Sequence, residues 1–357
     1  MAAAAFAIIT STATAAPAHA ATQGEVKEAL GRMFGLSGRR LDAVMSVFDH
    51  SQIERRYSVL PLSELTARRS LSRTSEIYRS HAVALGRRVA AECLARGEVA
   101  AEAVDLVISV SCTGFMIPSL DAYLIEGLGL RPDVRRLPIT ELGCAGGAAA
   151  LARAADFLAG HPEARVLVVS VELPSLTLQN DDLTQANLVS SALFGDGAAA
   201  ALLTGRRAAR GGGVGIAATR SHVFPGSLDA MAFQLEDGGL HIVLSKDVPD
   251  LVGAGAGGVL AVLCEQADVR RDDLTAFVLH PGGRKILLAL ETQLRLPRAS
   301  TQPSWDVLRD YGNLSSAAVL FVLDRWQRAC RPSPDTWGMM AAFGPGLTTE
   351  MLLLRWT

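Results

Sequence analysis

Apolar extended runs alternate with amphipathic stretches along almost the whole chain, and the alternation runs through twice. That pattern limits the fold to a sheet covered by helices on both faces. In the first half, strands are expected at Ile8 to Ala15, Leu106 to Val110, Arg136 to Thr140, Arg165 to Glu172 and Ala198 to Thr204. Helices are expected from near Thr22, which has capping-box spacing to Glu25, across Leu41, Val44, Met45 and Phe48, and over Thr74 to Arg96 up to Gly97. Further helices are expected near Leu120 to Glu126, from Ala145 to Gly160 and near Asn187 to Phe194. Gly205 to Gly213, rich in Gly and Arg, reads as a linker. Beyond it come strands at Val214 to Arg220, Ala276 to Leu279, Met339 to Phe343 and Glu350 to Arg355, with helices between Asp247 and Asp268 and over Ser315 to Arg328. No short-period repeat is visible, but the two halves keep a similar rhythm. The 357 residues suffice for two domains or one duplicated domain with a large core.

Three residues stand where these elements meet. Cys144, in Leu142-Gly143-Cys144-Ala145-Gly146-Gly147-Ala148, falls at the join between a strand and an alanine-rich helix. Unpaired N–H groups and the helix dipole favour a thiolate there, and the thiolate is the nucleophilic form. A buried structural cysteine is the other reading of the same residue. His280 ends an apolar run, Thr275 to Leu279, at a Pro281-Gly282-Gly283 turn that exposes the ring, so it is a candidate general base or a satisfied loop histidine. Asn313, in Tyr311-Gly312-Asn313-Leu314-Ser315-Ser316-Ala317, falls near the start of an apolar helix, where Asn is favoured as a cap.

Composition narrows the classes. Lys plus Arg number 34 against 36 Asp plus Glu, a net charge of −2, so no global field draws the chain to nucleic acid or to a membrane. Its five cysteines, Cys93, Cys112, Cys144, Cys264 and Cys330, are odd in number, scattered and without a C-x-x-C pair. They point to reduced thiols in the cytoplasm and away from zinc, and the seven histidines also lack metal-ligand spacing. Met1 to Ala20, ending Ala18-His19-Ala20, imitates a secretory signal but lacks a basic start and is broken by threonines. Within it Ile8 to Ala15 reads as a strand, with secretion of a non-enzymatic binding protein as the alternative. No stretch reaches the roughly 18 to 20 uninterrupted apolar residues of a spanning helix.

Taken together, in this order and at these separations, the three segments resemble the thiolase superfamily and, within it, the type III polyketide synthases, the chalcone synthase-like enzymes. Further matching stretches are Thr113-Gly114-Phe115-Met116-Ile117-Pro118-Ser119, Leu193-Phe194-Gly195-Asp196-Gly197-Ala198-Ala199, Ser245-Lys246-Asp247-Val248-Pro249 and Phe343-Gly344-Pro345-Gly346-Leu347-Thr348. The resemblance implies an α/β, five-layered αβαβα thiolase-like fold of two duplicated halves, residues 1–205 carrying Cys144 and residues 206–357 carrying His280 and Asn313. It implies a homodimeric acyltransferase that condenses malonyl-CoA onto a Cys144-bound acyl starter by decarboxylation, repeats the step, and cyclises the product to an alkylpyrone, an alkylresorcinol or a related phenolic. No metal, organic cofactor or carrier protein is expected. Cys144 is the expected nucleophile, its thiol acidified by an imidazolium at His280, while His280 and Asn313 are the expected donors to the enolate oxygen.

Around this triad the family's cavity positions fall on Phe194, Cys112, Thr177, Ile242, Ser315 and Phe233. Phe194 matches the gatekeeper aromatic between CoA tunnel and reaction cavity, and Ile242 replaces a second gatekeeper aromatic of the plant enzymes. The strand before His280 and the Ala-rich helix after Cys144 follow the pattern, but the CoA-binding basics depart from it. The family's Lys and Arg positions appear here as Ala43, Ser46 and His50, so Lys285, Arg55 and Arg56 become the candidates for CoA phosphate. A synthase that makes tetrahydroxynaphthalene from malonyl-CoA alone is an alternative, since Cys112 resembles a cysteine of such bacterial enzymes. A ketoacyl synthase III that condenses once onto acyl carrier protein is a same-fold rival.

Overall fold

The computed structural model describes residues 7–237 and 239–357, so the first six residues of the signal-like stretch lie outside it. The strands are β1 (Ala7–Ala15), β2 (His19–Thr22), β3 (Arg55–Ser58), β4 (Leu106–Val110), β5 (Arg135–Ile139), β6 (Arg165–Glu172) and β7 (Gly197–Gly205) in the first half. The second half holds β8 (Val214–Val223), β9 (Met231–Glu236), β10 (Gly239–Leu244), β11 (Leu274–Leu279), β12 (Trp337–Gly344) and β13 (Thr348–Trp356). Nine of them form one mixed sheet in the order β11-β12-β13-β8-β1-β7-β6-β4-β5. From the centre outward, each side runs through its own first strand, its last strand, and then earlier strands. The two sides meet where β1 pairs antiparallel with β8, Ala7 opposite Ile216.

Side-chain alternation turns this sheet into layers. In the first half Leu106, Ile108, Val110, Val166, Val168, Ala199 and Ala201 face one core, while Val107, Leu167, Val169, Ala198, Ala200 and Leu202 face another. In the second half Ile216, Val278, Met340 and Leu352 join the first of these cores, and Phe277, Leu279, Met339 and Leu353 face a third. The shared core holds two helices, α2 (Gly146–Gly160) and α5 (Ala318–Arg325). An outer helix α1 (Leu71–Arg96), capped by Ser70, covers the first half. Another, α3 (Val248–Gln266), covers the second half with α4 (Arg298–Tyr311) at its edge. The result is an αβαβα stack whose two β layers are continuous through β1 and β8. Alanines at positions 148, 150, 154 and 155 of α2 are fully buried, and their small volume lets the central helices lie close to both layers.

Several expectations are refined. Thr22 caps its helix with both halves of the capping box formed. The helix expected across Leu41 to Phe48 is two short helices, Gly38–Val44 and Ser46–His50, broken at Met45, whose side chain is fully buried. The stretch between Asp247 and Asp268 is the single helix α3. It has the length and apolarity of a membrane span, but Val252, Ala256, Leu260 and Leu263 pack into the outer core of the second half. The helix expected from Ser315 begins as a tight 3₁₀ turn, Ser315–Ala317, and ends in a π turn, Trp326–Cys330. β1 lies in the middle of the sheet, so cleavage after Ala20 would remove its central strand. The hairpin of β9 and β10 was not expected from the sequence.

Candidate active site

Cys144 sits in a one-turn 3₁₀ segment, Gly143–Ala145, directly before α2. Gly143 has φ +49° and its backbone lies against Pro345, where a Cβ would stand 2.4 Å from the proline Cδ. Gly147 faces the Ser315–Ala317 turn so closely that a Cβ would stand 2.1 Å from the Ser316 carbonyl oxygen. These two glycines let the turn from the second half rest on the helix start from the first. His280 continues the β11 ladder by donating its N–H to Ala341 O (2.9 Å), and its own carbonyl accepts from Gly282 N (2.9 Å). Asn313 follows α4. Its amide donates to Gly282 O (3.2 Å) and its Oδ1 accepts from Ser315 N (2.8 Å), so one side chain joins the histidine loop to the turn over Cys144.

All three side chains line one cavity of about 260 Å³, together with Phe194, Cys112, Ile242, Phe233, Ser315 and Lys285. Cys144 opens onto the cavity but is otherwise enclosed by protein. Burial, with the Glu172 charge acting in the same direction, pushes its thiol up to about 12, against hydrogen bonds with Ser315 and Asn313 that favour the thiolate. Burial alone pushes the His280 imidazole down to about 3, and its Nδ1 has no hydrogen-bond partner among the described residues. Desolvation thus acts against both members of the expected thiolate and imidazolium pair, while the hydrogen bonds at Cys144 act in favour of the thiolate. A neutral imidazole keeps one N–H to donate, as an oxyanion donor requires.

Of the remaining expectations, Ile242 and Phe233 prove to be direct cross-strand partners in the hairpin of β10 and β9. Thr177 lies instead on a second cavity of about 740 Å³, which Cys112, Thr113, Gly143, Phe233 and Pro345 share with the first. Arg55 and Arg56 are corrected as well. Arg55 is exposed in β3 and lines neither cavity, while Arg56 is buried and donates to the Ser191 and Phe194 carbonyl oxygens (2.5 and 2.8 Å). Exposed Lys246, Arg284 and Lys285 line the first cavity, along with His50. Lys246 and Arg284 were missed, although both lie within or beside stretches singled out in the sequence. Glu172 was missed too. It reads as the end of an apolar strand, yet it has no exposure and accepts hydrogen bonds from Cys112 N (3.3 and 3.2 Å), Thr113 Oγ1 (2.7 Å) and Ser316 Oγ.

Comparison with known proteins agrees with this architecture. Residues 1–206 match the N-terminal domain and residues 215–357 the C-terminal domain of the chalcone and stilbene synthases. The chain is 37% identical to a 1,3,6,8-tetrahydroxynaphthalene synthase of Streptomyces peucetius subsp. caesius, over 96% of this chain and 91% of that protein. It is 35% identical to a putative chalcone synthase of Bacillus subtilis, over 98% and 99% of the two chains. The crystal structure of 1,3,6,8-tetrahydroxynaphthalene synthase from Streptomyces coelicolor A3(2), a bacterial type III polyketide synthase, superposes with a TM-score of 0.93 at 32% identity, covering 98% and 99% of the chains. With a helix-start cysteine, a strand-end histidine and an asparagine turn around one cavity, the chain belongs to the chalcone and stilbene synthase family and is a type III polyketide synthase, an acyltransferase with a thiolase-like fold.

Proposed function

We propose that Cys144 accepts an acyl group from a CoA thioester and holds it while malonyl-CoA is decarboxylated beside it. A thiolate suits both steps, because the thioester forms readily and stays electrophilic toward carbon. Decarboxylation leaves an enolate, and the His280 ring and Asn313 amide are the donors for its oxygen. The observation that carries this reading is the enclosure of Cys144, His280 and Asn313 by one cavity. Lys246, Arg284 and Lys285, exposed at that cavity, are the cations for CoA phosphate. CoA thioesters are the only co-substrates in this scheme, with no metal or organic cofactor.

The growing chain has room to turn into the larger cavity past Cys112 and Phe233. Ile242 at the mouth and this additional space favour flexible acyl starters, and alkylpyrones or alkylresorcinols as products. A malonyl-primed naphthalene is the second reading, supported by Cys112 in the cavity wall and by the likeness to tetrahydroxynaphthalene synthases. Incubation with malonyl-CoA and a ladder of acyl-CoA starters, followed by product masses, tests both. We also propose a homodimer, because β5 ends the sheet with an unpaired edge and Leu137, Leu142, Phe115 and Ile117 are exposed in and near it. Cytoplasmic action fits the five free cysteines.

A further inference from the structure

We propose that the Ser111 hydroxyl, backed by the buried Tyr78 hydroxyl, is a carbonyl-binding subsite of the larger cavity that holds one ketone oxygen of the extended poly-β-keto chain. This rests on the reading that Cys144 carries the chain and that the chain turns past Cys112 into that cavity. Both residues line the cavity of about 740 Å³. Tyr78 Oη donates to Ser111 Oγ (2.6 Å), and the Ser111 hydroxyl hydrogen has no acceptor among the described residues. The one hydrogen of the pair without a protein partner is the one a ligand in the cavity can use.

Strand alternation places the pair. The ladder of β4 continues one step beyond Val110, since Ser111 N donates to Ile139 O (3.1 Å). Leu106, Ile108 and Val110 face the core shared with α2, so Cys112 falls on that face, while Val107, Ser109 and Ser111 alternate onto the face covered by α1. Cys112 accordingly lines both cavities and Ser111 only the larger. Hydroxyls are costly on a face that also carries Leu167 and Val169 unless they find partners. Ser109 Oγ donates to Asp121 Oδ1 (3.1 Å), but Ser111 has no such acceptor.

Tyr78 is a positioning residue held by close packing. It is 2% exposed, and its ring lies against Gly114, where a Cβ would stand 2.3 Å from two ring atoms. Burial raises its phenol, against the bond to Ser111, so the proton stays on the oxygen at neutral pH. A hydroxyl that accepts a hydrogen bond donates a stronger one, so Tyr78 polarises Ser111 toward a carbonyl lying beyond it. A poly-β-keto chain offers a ketone oxygen at every second carbon, whereas an alkyl tail offers none. The subsite therefore recognises the extended part of the chain, and the apolar tail of the starter continues toward Leu71, Leu176 and Leu235 in the same cavity.

The test is the distribution of product masses from one acyl-CoA starter and malonyl-CoA, counted per acylated Cys144 so that changes in loading cancel. Ser111→Ala is expected to lower the ratio of fully extended to early-released products about two- to tenfold, the weight of one hydrogen bond. Tyr78→Phe keeps the ring against Gly114 and lowers the ratio less. The double variant is no worse than Ser111→Ala, because Tyr78 acts through Ser111. Tyr78→Phe carries the test if Ser111→Ala does not fold. Variants that lose stability in urea but keep the wild-type distribution leave the pair purely structural and overturn the subsite, as does a Tyr78→Phe effect that adds in full to that of Ser111→Ala. An acyl adduct that forms on another residue while Cys144 stays free overturns instead the nucleophile reading on which the subsite rests.

Discussion

Phe194 and Asn313, 119 positions apart, form an isolated parallel bridge: Asn313 N donates to Leu193 O (2.8 Å) and Gly195 N donates to Asn313 O (3.0 Å). The backbone at Phe194 from one half is thereby fastened to the backbone of the asparagine from the other. Gly195 and Gly312 permit the contact, since a Cβ on either would stand within 2.6 Å of a carbonyl oxygen of the opposite strand. Buried Arg56 adds its guanidinium to the Phe194 carbonyl. Phe194 and Asn313, which both line the cavity of Cys144, are therefore held relative to one another by main-chain hydrogen bonds.

Replacing Cys144 with Ala is expected to abolish starter loading and all products. Mass spectrometry of wild type after brief exposure to acyl-CoA should find the adduct on Cys144. Products persisting in Cys144→Ala with an adduct on Cys112 would refute the assignment.

Asn313→Ala is expected to slow malonyl decarboxylation about a hundredfold to a thousandfold, the usual loss for one oxyanion donor, and to slow loading much less. Separate assays of CO₂ release and of acyl-enzyme formation check this. Equal losses in both would mean that Asn313 acts by holding Ser315 in place.

His280 makes a specific contribution to acid sensitivity. Its folded value of about 3 lies below the unfolded value near 6.5, so its contribution to stability is complete above about 6.5 and is lost as pH falls toward 3. Asp196, raised by burial to about 6, works with the opposite sign and loses stability as pH rises through its own range. The His280 share is isolated by comparing wild type with His280→Gln in urea titrations. The gap should change by several kcal/mol between pH ~6.5 and pH ~3, with wild type losing more. Parallel curves would contradict it.

Gly147→Ala is expected to cost about 2 to 4 kcal/mol, because its Cβ would overlap the Ser316 carbonyl oxygen and neither backbone can withdraw without moving α2 or the 315–317 turn. Urea midpoints give the loss. Loading should fall as well, since the displaced turn carries Ser315 away from Cys144. An unchanged midpoint would show that the turn yields freely.

For starter choice, a medium-chain acyl-CoA competing with malonyl-CoA is expected to give predominantly alkyl products, following Ile242 at the mouth and the space beyond Cys112. A malonyl-primed naphthalene that dominates even with acyl-CoA in excess would reverse this.

The strands of the nine-stranded sheet, the Thr22 cap and the places of Cys144, His280 and Asn313 between elements are legible in the chain, because each depends on local periodicity, turn chemistry or a motif read over a few residues. The grouping of those three side chains around one cavity needed the resemblance, since nothing local links position 144 to positions 280 and 313. Tertiary structure alone decided the rest. The burial that acts against charge on Cys144 and His280 is not legible in the chain, because desolvation depends on what surrounds a group rather than on its neighbours in sequence. Arg56 reads as a surface cation and is buried against carbonyls. Glu172 reads as the last residue of a strand and becomes a buried acceptor, because only the pairing of β6 with β4 and the approach of the 315–317 turn bring its donors together. Periodicity specifies which face of an element is apolar; which polar groups then meet behind that face depends on how elements distant in sequence pack.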